Sequence, residues 1–273
     1  MKTTAPISVV IPCYNAAQSI SRALQSVARQ SRRPAEVILV DDCSQDDTLD
    51  RLNELADRYG RNWVKVIGLP TNSGPSRARN AGWNAATSEY VAFLDSDDSW
   101  HPAKIELQAA FLAADDGLDL IASRMNVQAP DMPAPAIRQP IICSPIPKAV
   151  LRLYHNPFPT SSVVLRRSLP FRFDERLRRV EDYHLWARIV LAGRHAAVIN
   201  QMLSSCHKAR FGASGLSGDI FAMNAAGADA RRLLYKEGYI SAPTLALQTA
   251  IAKVRHLRRV LVVGARWAAS HTK

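Results

Sequence analysis

The feature that most constrains the fold of this chain is the alternation, over its first 123 residues, of short apolar runs with helical patterns. Several of the runs are rich in valine and isoleucine and apolar throughout, which is typical of strands buried on both faces of a parallel sheet. The segments between them carry apolar residues at helical spacing, as Ile20, Ala23, Leu24 and Val27 do. The pattern predicts a doubly wound α/β unit, in which helices flank a mostly parallel sheet. The five predicted strands are residues 7–11, 37–40, 64–67, 90–94 and 118–122.

After residue 123 the regular alternation stops and a proline-rich stretch begins. Eight of the 16 prolines lie between positions 130 and 159, and this density opposes both helix and central strand. We expect a long irregular segment here, which is either a binding loop or lid or a packed meander. Beyond it the pattern predicts a strand at 161–165, a helix at 181–192 and a short strand at 196–199.

The end of the chain is predicted to be helical and is strongly basic. The sequence divides into an α/β domain over residues 1–215 and a C-terminal basic helical extension over residues 216–273. Residues 1–100 carry 11 Lys/Arg and 12 Asp/Glu, whereas residues 101–273 carry 24 and 12. The positive surplus therefore lies in the back of the chain and suggests an anionic partner such as nucleic acid, acidic lipid or a phosphorylated acceptor.

Residues 251–273 concentrate this charge, with six Lys/Arg and no acidic residue among apolar side chains at helical spacing. Such a segment either makes a peripheral contact with an anionic membrane or packs on its own domain as a solvated helix. Its longest apolar run is too short to span a bilayer.

The cysteines and the N-terminus indicate a cytoplasmic protein. Cys13, Cys43, Cys143 and Cys206 show neither metal-ligand spacing nor the density of a disulfide framework, so we expect free thiols and no zinc. The apolar run that ends at Pro12 is too short for a signal sequence.

Acidic residues follow two of the predicted strands directly. Asp41 and Asp42 come after the second strand, and Asp95, Asp97 and Asp98 after the fourth. In an open parallel sheet the carboxyl ends of the strands border the ligand crevice, so both groups should face it. Aspartates in such positions are often only turn formers and helix caps. Two groups at matching strand ends favour instead a site for Mg²⁺ or Mn²⁺, which relieves the repulsion between carboxylates.

Phosphate binding cannot rely on a glycine-rich loop, because neither GxxxxGK[ST] nor GxGxxG occurs. A metal and cationic side chains would have to take that part. Arg77 and Arg79 begin the helix predicted after the third strand and suit an anionic or base-edge contact. A plain surface position remains the better interpretation for Arg77.

A further acidic pair, Glu181 and Asp182, lies in the first turn of a predicted helix. The helix dipole alone favours acids there. The alternative is that one carboxylate points into the crevice and acts as a general base toward a hydroxyl nucleophile.

Taken in order, five segments of the chain resemble those of a family 2 glycosyltransferase of the GT-A type. They are SVVIPCYNAAQSISRALQSVARQS, EVILVDDCSQDDT, NSGPSRARNAGWNAA, EYVAFLDSDDSWHPAKIELQ and FDERLRRVEDYHLWARIVLAG. The resemblance implies a GT-A (Rossmann-like) fold over residues 1–215. It also implies metal-dependent transfer of a hexose from a nucleotide sugar, expected to be a UDP-sugar, to an acceptor hydroxyl with inversion.

The same resemblance assigns roles to individual residues. It implies that Asp182 is the catalytic base, with Glu181 as the second choice. Asp95 and Asp97 would form the DxD motif, and Mn²⁺ or Mg²⁺ would be held by Asp97 or Asp98. His207 is a further candidate ligand, although the family's Tyr-Arg-x-His stretch is here Ser-Ser-Cys-His. The implied donor-binding residues are Pro12, Tyr14, Asn15, Asp42, Arg79 and Asp95.

The implied acceptor is a glycan or lipid-linked saccharide in polysaccharide or cell-envelope synthesis, reached from the cytoplasm or the cytoplasmic membrane face. Two other functions agree less well with the sequence. A sugar-nucleotide pyrophosphorylase would normally carry a glycine-rich loop after the first strand, which is missing. A nucleic-acid-binding protein would explain the charge but not the carboxylates, which repel phosphates, so no nucleic acid is expected as a partner.

Overall fold

The computed structural model describes residues 4–153, 155–207 and 219–271, and in this part of the chain nine strands form one sheet with helices on both faces. The strands are β1 (Ala5–Cys13), β2 (Pro34–Asp41), β3 (Val64–Gly68), β4 (Tyr90–Phe93), β5 (Ser99–Trp100), β6 (Leu118–Val127), β7 (Cys143–Pro145), β8 (Val164–Arg166) and β9 (His195–Cys206). The helices are α1 (Ile20–Ala28), α2 (Thr48–Tyr59), α3 (Pro75–Ala85), α4 (Lys104–Ala114), α5 (Lys148–Arg152), α6 (Glu181–Leu191), α7 (Ile220–Lys236) and α8 (Ala242–His271). A single 3₁₀ turn covers Thr160–Ser162.

The strand order is β3-β2-β1-β4-β8-β6-β9-β5, and β7 adds to β9. The first four strands in this order are parallel, because helical crossovers connect them. β8 follows the proline-rich segment instead and runs antiparallel to both β4 and β6. The predicted doubly wound α/β fold is confirmed, and its sheet is mixed rather than parallel throughout.

Two apolar cores cover the faces of this sheet, and β1 contributes to both because its side chains alternate. Val9 and Ile11 pack into the core that contains α1 and α4. Val10 faces the other core, which contains α3 and α6. Here α3 lies so close that a Cβ added to Gly82 would be 2.4 Å from Val10 Cγ1. Only glycine fits at this approach.

The C-terminal helices pack against the sheet domain through α6. Gln248 of α8 is fully buried, and its Nε2 donates to the carbonyl oxygens of Leu151 and Arg152 at 3.1 Å. It also donates to Tyr183 Oη at 3.2 Å. Within the described residues, no helix combines the length and the apolarity needed to cross a bilayer.

Several boundaries differ from the predicted ones. The proline-rich segment is largely irregular, as expected, but it contains β7 and α5. The strand predicted at 161–165 begins as the 3₁₀ turn, and the one predicted at 196–199 lies in the first half of the much longer β9. β5 was not predicted, because a two-residue strand has no periodicity to detect. All four cysteines lie in the described part of the chain and none of them forms a disulfide, as expected.

Candidate active site at the carboxyl ends of the strands

The two groups of aspartates lie at the same edge of the sheet. Asp42 directly follows β2 and Asp95 follows β4, and β1 runs parallel between these strands. Two strand spacings, about 10 Å, separate the two strand ends. Asp42 and the acidic run Asp95, Asp97 and Asp98 therefore lie at the same carboxyl edge of the sheet, where an open parallel sheet has its ligand crevice.

Asp42 is buried beside the start of α3. Its carboxylate accepts the backbone N–H groups of Ser73 at 2.9 Å and Gly74 at 2.7 Å. Burial raises the pKa of Asp42 and the charge of Asp41 raises it further, against the lowering effect of the two N–H groups. Asp42 thus orders the loop that leads into α3 at one end of the crevice.

The turn after β1 lies beside Asp42. Asn15 adopts a left-handed conformation with a φ of +48°. Its Oδ1 accepts the N–H of Gln45 at 3.0 Å, while its own N–H donates to Ser44 Oγ at 3.0 Å. These bonds join the turns after β1 and β2. Pro12 is half-buried in β1, and the ring of Tyr14 is 46% exposed. An exposed aromatic next to a buried carboxylate is suited to hold a planar, hydrogen-bonding base.

Arg79 of α3 joins the acidic run to α6. Its Nη1 donates to Glu181 Oε1 and its Nη2 to Asp95 Oδ1, both at 2.7 Å. Burial alone would lower the pKa of Arg79, but the charges of Asp95 and Glu181 outweigh burial and raise the pKa. The guanidinium is a buried cation between two carboxylates.

Ser161, in the 3₁₀ turn, forms hydrogen bonds with two residues of the acidic run. Ser161 Oγ accepts the N–H of Asp95 at 3.1 Å and donates to Asp98 Oδ2 at 2.5 Å. Asp98 is 5% exposed. Its burial, reinforced by the charges of Asp95 and Asp97, raises its pKa well above the usual range. Asp98 therefore anchors the loop, whereas the half-buried Asp97 is the more accessible carboxylate.

His207 lies at the end of β9 on the same side. Its Nδ1 is 3.1 Å from the carbonyl oxygen of Gln128. Because a carbonyl only accepts, Nδ1 carries the proton, and Nε2 accepts from Ser99 Oγ at 2.8 Å. Burial lowers the pKa of His207, and the charge of Asp97 opposes this effect. The imidazole is therefore neutral and presents its lone pair on the side of the acidic run.

The start of α6 carries the remaining candidates. Val180, just before it, has a φ of +61°, which is rare for a β-branched residue and is found mostly where function demands it. Asp182 Oδ2 accepts a hydrogen bond from Asn156 Nδ2 at 2.9 Å, and Asp182 Oδ1 accepts one from the backbone N–H of Tyr183 at 2.7 Å. Burial and the adjacent charge of Glu181 raise the pKa of Asp182 to about 6.

The two acids of this pair have different partners. Glu181 Oε1 forms an ion pair with Arg79, a permanent cation. Asp182 titrates close to neutrality, which is the property a general base needs. Two residues that hold the site were not predicted to do so from the sequence: Asn156, in the proline-rich segment, and Ser161, in the 3₁₀ turn that follows it.

The carboxylates of the acidic run and His207 supply the oxygen and imidazole ligands that Mn²⁺ accepts. Their ligand atoms are not gathered to within 4.8 Å, however. In the part of the chain that is described, only Asp174, His184 and Glu237 form such a group. Arg176 and Arg188 already contact its carboxylates at 2.6 Å and 3.3 Å, so its negative charge is balanced without a metal. We interpret this group as an ion-pair network between α6 and α7.

Comparison with known proteins agrees with this fold. The sequence model of Glycosyl transferase family 2 matches residues 8–173. Over 206 residues the chain is 34% identical to the succinoglycan biosynthesis protein ExoO of Rhizobium meliloti, covering 70% of this chain and 58% of that protein. Over 219 residues it is 33% identical to the amylovoran biosynthesis glycosyltransferase AmsB of Erwinia amylovora, covering 75% and 71%. The chain thus spans less than two thirds of the first of these relatives.

Solved structures resemble it at lower identity. S. aureus TarS 1–349 in complex with UDP-GlcNAc has a TM-score of 0.68 at 22% identity, over 92% of this chain and 72% of that one. The mannosyltransferase PcManGT from Pyrobaculum calidifontis, in complex with GDP-Man and Mn²⁺, has a TM-score of 0.66 at 19% identity, over 98% and 81%. These likenesses show the fold. The chain belongs to glycosyl transferase family 2 and adopts the GT-A fold.

Proposed function

We propose that this protein is an inverting, metal-assisted glycosyltransferase that transfers a sugar from a nucleotide sugar to an acceptor hydroxyl. The observation that carries the proposal is the pair at the start of α6. Glu181 is neutralised by Arg79, and Asp182, beside it, has a pKa of about 6. A base with this pKa is largely ionised at neutral pH and still takes up a proton readily.

In the proposed reaction Asp182 accepts the proton of the acceptor hydroxyl while that oxygen attacks the anomeric carbon of the donor. The bond from the anomeric carbon to the diphosphate oxygen breaks, and its electron pair leaves with the nucleoside diphosphate. Attack from the opposite face inverts the anomeric centre. General-base help of this kind contributes about 10²–10⁴-fold.

The donor would lie between Asp42 and the acidic run. Tyr14 and Asn15, with Pro12, would line the base, and Asp42 would meet its edge. Arg79 already binds Asp95 and Glu181 through Nη2 and Nη1, so we assign it to positioning these carboxylates rather than to direct contact with the diphosphate. The TarS and PcManGT structures, with their UDP-sugar and GDP-sugar, support a nucleotide-sugar donor, of which a UDP-sugar is our proposal.

Asp97 and His207 are the residues that would hold Mn²⁺ or Mg²⁺, with His207 Nε2 exchanging its hydrogen bond from Ser99 for the ion, and Asp98 would fix the loop that carries Asp97. When bound, the ion would neutralise negative charge on the departing diphosphate. ExoO and AmsB, named for the synthesis of two polysaccharides, support a glycan or lipid-linked saccharide as the acceptor. We place the reaction in the cytoplasm or at the cytoplasmic face of the membrane.

The experiment needs no acceptor, because a water molecule can replace the hydroxyl slowly. The full chain is incubated with Mn²⁺ and a panel of nucleotide sugars, and released nucleoside diphosphate is measured. We expect one donor to be cleaved. Asp182→Asn should keep the Kd of that donor in calorimetry and lower cleavage by about 10²-fold or more.

Asp57→Asn is the matched control, because Asp57 is an exposed aspartate on α2. It should leave both measurements unchanged. Near-normal cleavage by Asp182→Asn would remove that residue from the role of base, and absence of binding to any nucleotide sugar would overturn the proposal as a whole.

A further inference from the structure

The side of α8 that faces solvent is apolar. Leu247, Val254 and Leu257 are 49%, 70% and 61% exposed. They follow one another at intervals of seven and three residues, so they share one face of the helix. The exposed small residues Ala246 and Ala250 lie between them on the same face. We call these five residues the outer face of α8.

This arrangement differs from that of an ordinary surface helix, whose apolar stripe faces the core and whose polar side faces water. The buried side of α8 carries the polar Gln248 as well as Ala252, and the half-buried Leu245 packs against the core of the sheet domain. Packing within the chain therefore does not account for the apolar side chains on the outside. An exposed aromatic residue, Phe221 of α7, lies beside α8 with its ring 5.3 Å from that of His256 and is 67% exposed.

Cations border the outer face. Lys253 and Arg258 are both exposed, and helical spacing places them on opposite sides of the apolar stripe. The whole of α8, Ala242–His271, contains no acidic residue. An apolar strip with positive charge along both borders complements a surface that is apolar inside and negatively charged at its boundary. A second copy of the chain fits less well, because it would bring like charges together on α8 without an acid to pair them.

We propose that the outer face of α8 docks on a bilayer that contains anionic phospholipid, with the helix lying in the plane of the interface. The apolar side chains enter the acyl boundary, and Lys253 and Arg258 meet the lipid phosphates. No step of the proposed transfer reaction enters this inference, so either proposal can fail without the other.

The test is co-sedimentation of the full chain with vesicles of phosphatidylglycerol and phosphatidylcholine, and with vesicles of phosphatidylcholine alone. We expect binding to the anionic vesicles, weakened by salt, and little binding to the neutral ones. Lys253→Gln and Arg258→Gln should each weaken binding roughly fivefold, as expected for a cation at an anionic surface. Val254→Gln with Leu257→Gln should weaken it about tenfold or more.

Two controls match these variants in chemistry. Leu49→Gln changes an exposed leucine on α2, and Arg29→Gln changes an exposed arginine at the end of α1. Both should bind vesicles as the unaltered chain does. Equal binding to neutral vesicles, or an equal loss in the controls, would contradict the inference. A dimer in solution that Val254→Gln with Leu257→Gln dissociates would also overturn it, by assigning the outer face to a second copy.

Discussion

Arg79 sets the charge balance of the candidate site. As a buried cation it satisfies one carboxylate from the end of β4 and one from the start of α6, which would otherwise repel each other. A buried ion pair of this kind adds little net stability, and removal of one partner is costly. Its role here is to fix Glu181 next to Asp182, where the charge of Glu181 adds to the effect of burial in raising the pKa of Asp182.

This coupling predicts a pH dependence. Asp182 must be ionised to accept a proton, so donor cleavage (kcat/KM) should rise with pH, with a midpoint near its pKa of about 6. Glu181→Gln removes the adjacent negative charge, and the freed positive charge of Arg79 also favours ionised Asp182. Both effects lower the pKa of Asp182, so the rise should move to lower pH.

The measurement is the pH profile of nucleoside diphosphate release for both proteins. Glu54→Gln, an exposed acid on α2, serves as the control and should leave the profile in place. A rise that stays in place or moves to higher pH in Glu181→Gln would separate the titrating group from Asp182.

Single residues were predictable from sequence where their position along a strand fixed them. Asp42 and Asp95 lie at the crevice because they follow parallel strands. From the sequence we expected Arg79 to contact the donor. Its ion pair with Glu181 could not be predicted, because Glu181 lies 102 positions away along the chain. The hydrogen bonds of Ser161 depend on how the 3₁₀ turn packs against the end of β4, and no local pattern encodes that.

At the scale of elements, the strands with long apolar runs were predictable, since a buried parallel strand needs apolar residues on both faces. The short β7 and the one-turn α5 were not, because their pairing and packing come from β9 and α6 rather than from their own sequence. The mixed direction of the sheet likewise arises from tertiary contacts.

The contact between α3 and β1 predicts one stability effect at this scale. Gly82→Ala would gain about 1 kcal/mol in helix propensity. The new methyl would, however, lie 2.4 Å from Val10 Cγ1 and 3.2 Å from Val40 Cγ2, both buried in the sheet. The clash should dominate, and we expect a net loss of about 2–3 kcal/mol in the free energy of unfolding.

Urea denaturation measures this change. Gly68→Ala is the matched control, because the nearest atom to its new methyl is 4.0 Å away. It should stay within about 0.5 kcal/mol of the unaltered chain. An equally stable Gly82→Ala would show that α3 can move away from β1, and with it Arg79.

At the scale of the whole molecule, the C-terminal helices and the site meet at α6. Glu237, at the end of α7, lies 3.3 Å from both His184 and Arg188 of α6. Burial, with the charge of Arg188, lowers the pKa of His184 to about 4, so this histidine is neutral near neutral pH. The charges of Arg176 and Arg188 then balance those of Asp174 and Glu237. The helix that carries Asp182 is thus held from the side away from the crevice.

Gln248 is the other part of this connection, and it yields the last prediction. Its Nε2 donates to the carbonyl oxygens of Leu151 and Arg152, the last two residues of α5, and to Tyr183 Oη. Tyr183 directly follows Asp182 in the chain. Gln248→Met keeps the volume but leaves the Arg152 carbonyl without this donor, while Leu151 O still accepts from Tyr183 Oη at 2.8 Å. The substitution also removes the buried Gln248 Oε1, which has no hydrogen-bond partner among the described residues, and this removal is stabilising. The net loss in the free energy of unfolding should therefore be modest, about 1–2 kcal/mol, and should affect the C-terminal helices most.

Amide hydrogen exchange measures this effect: in Gln248→Met it should become faster in α8 and at the start of α6 and stay unchanged in α1 to α4. Gln25→Met, at an exposed position on α1, should alter neither region. If exchange in α8 were unaffected by Gln248→Met, the helix would be held by its apolar contacts alone, and the position of Asp182 would not depend on it.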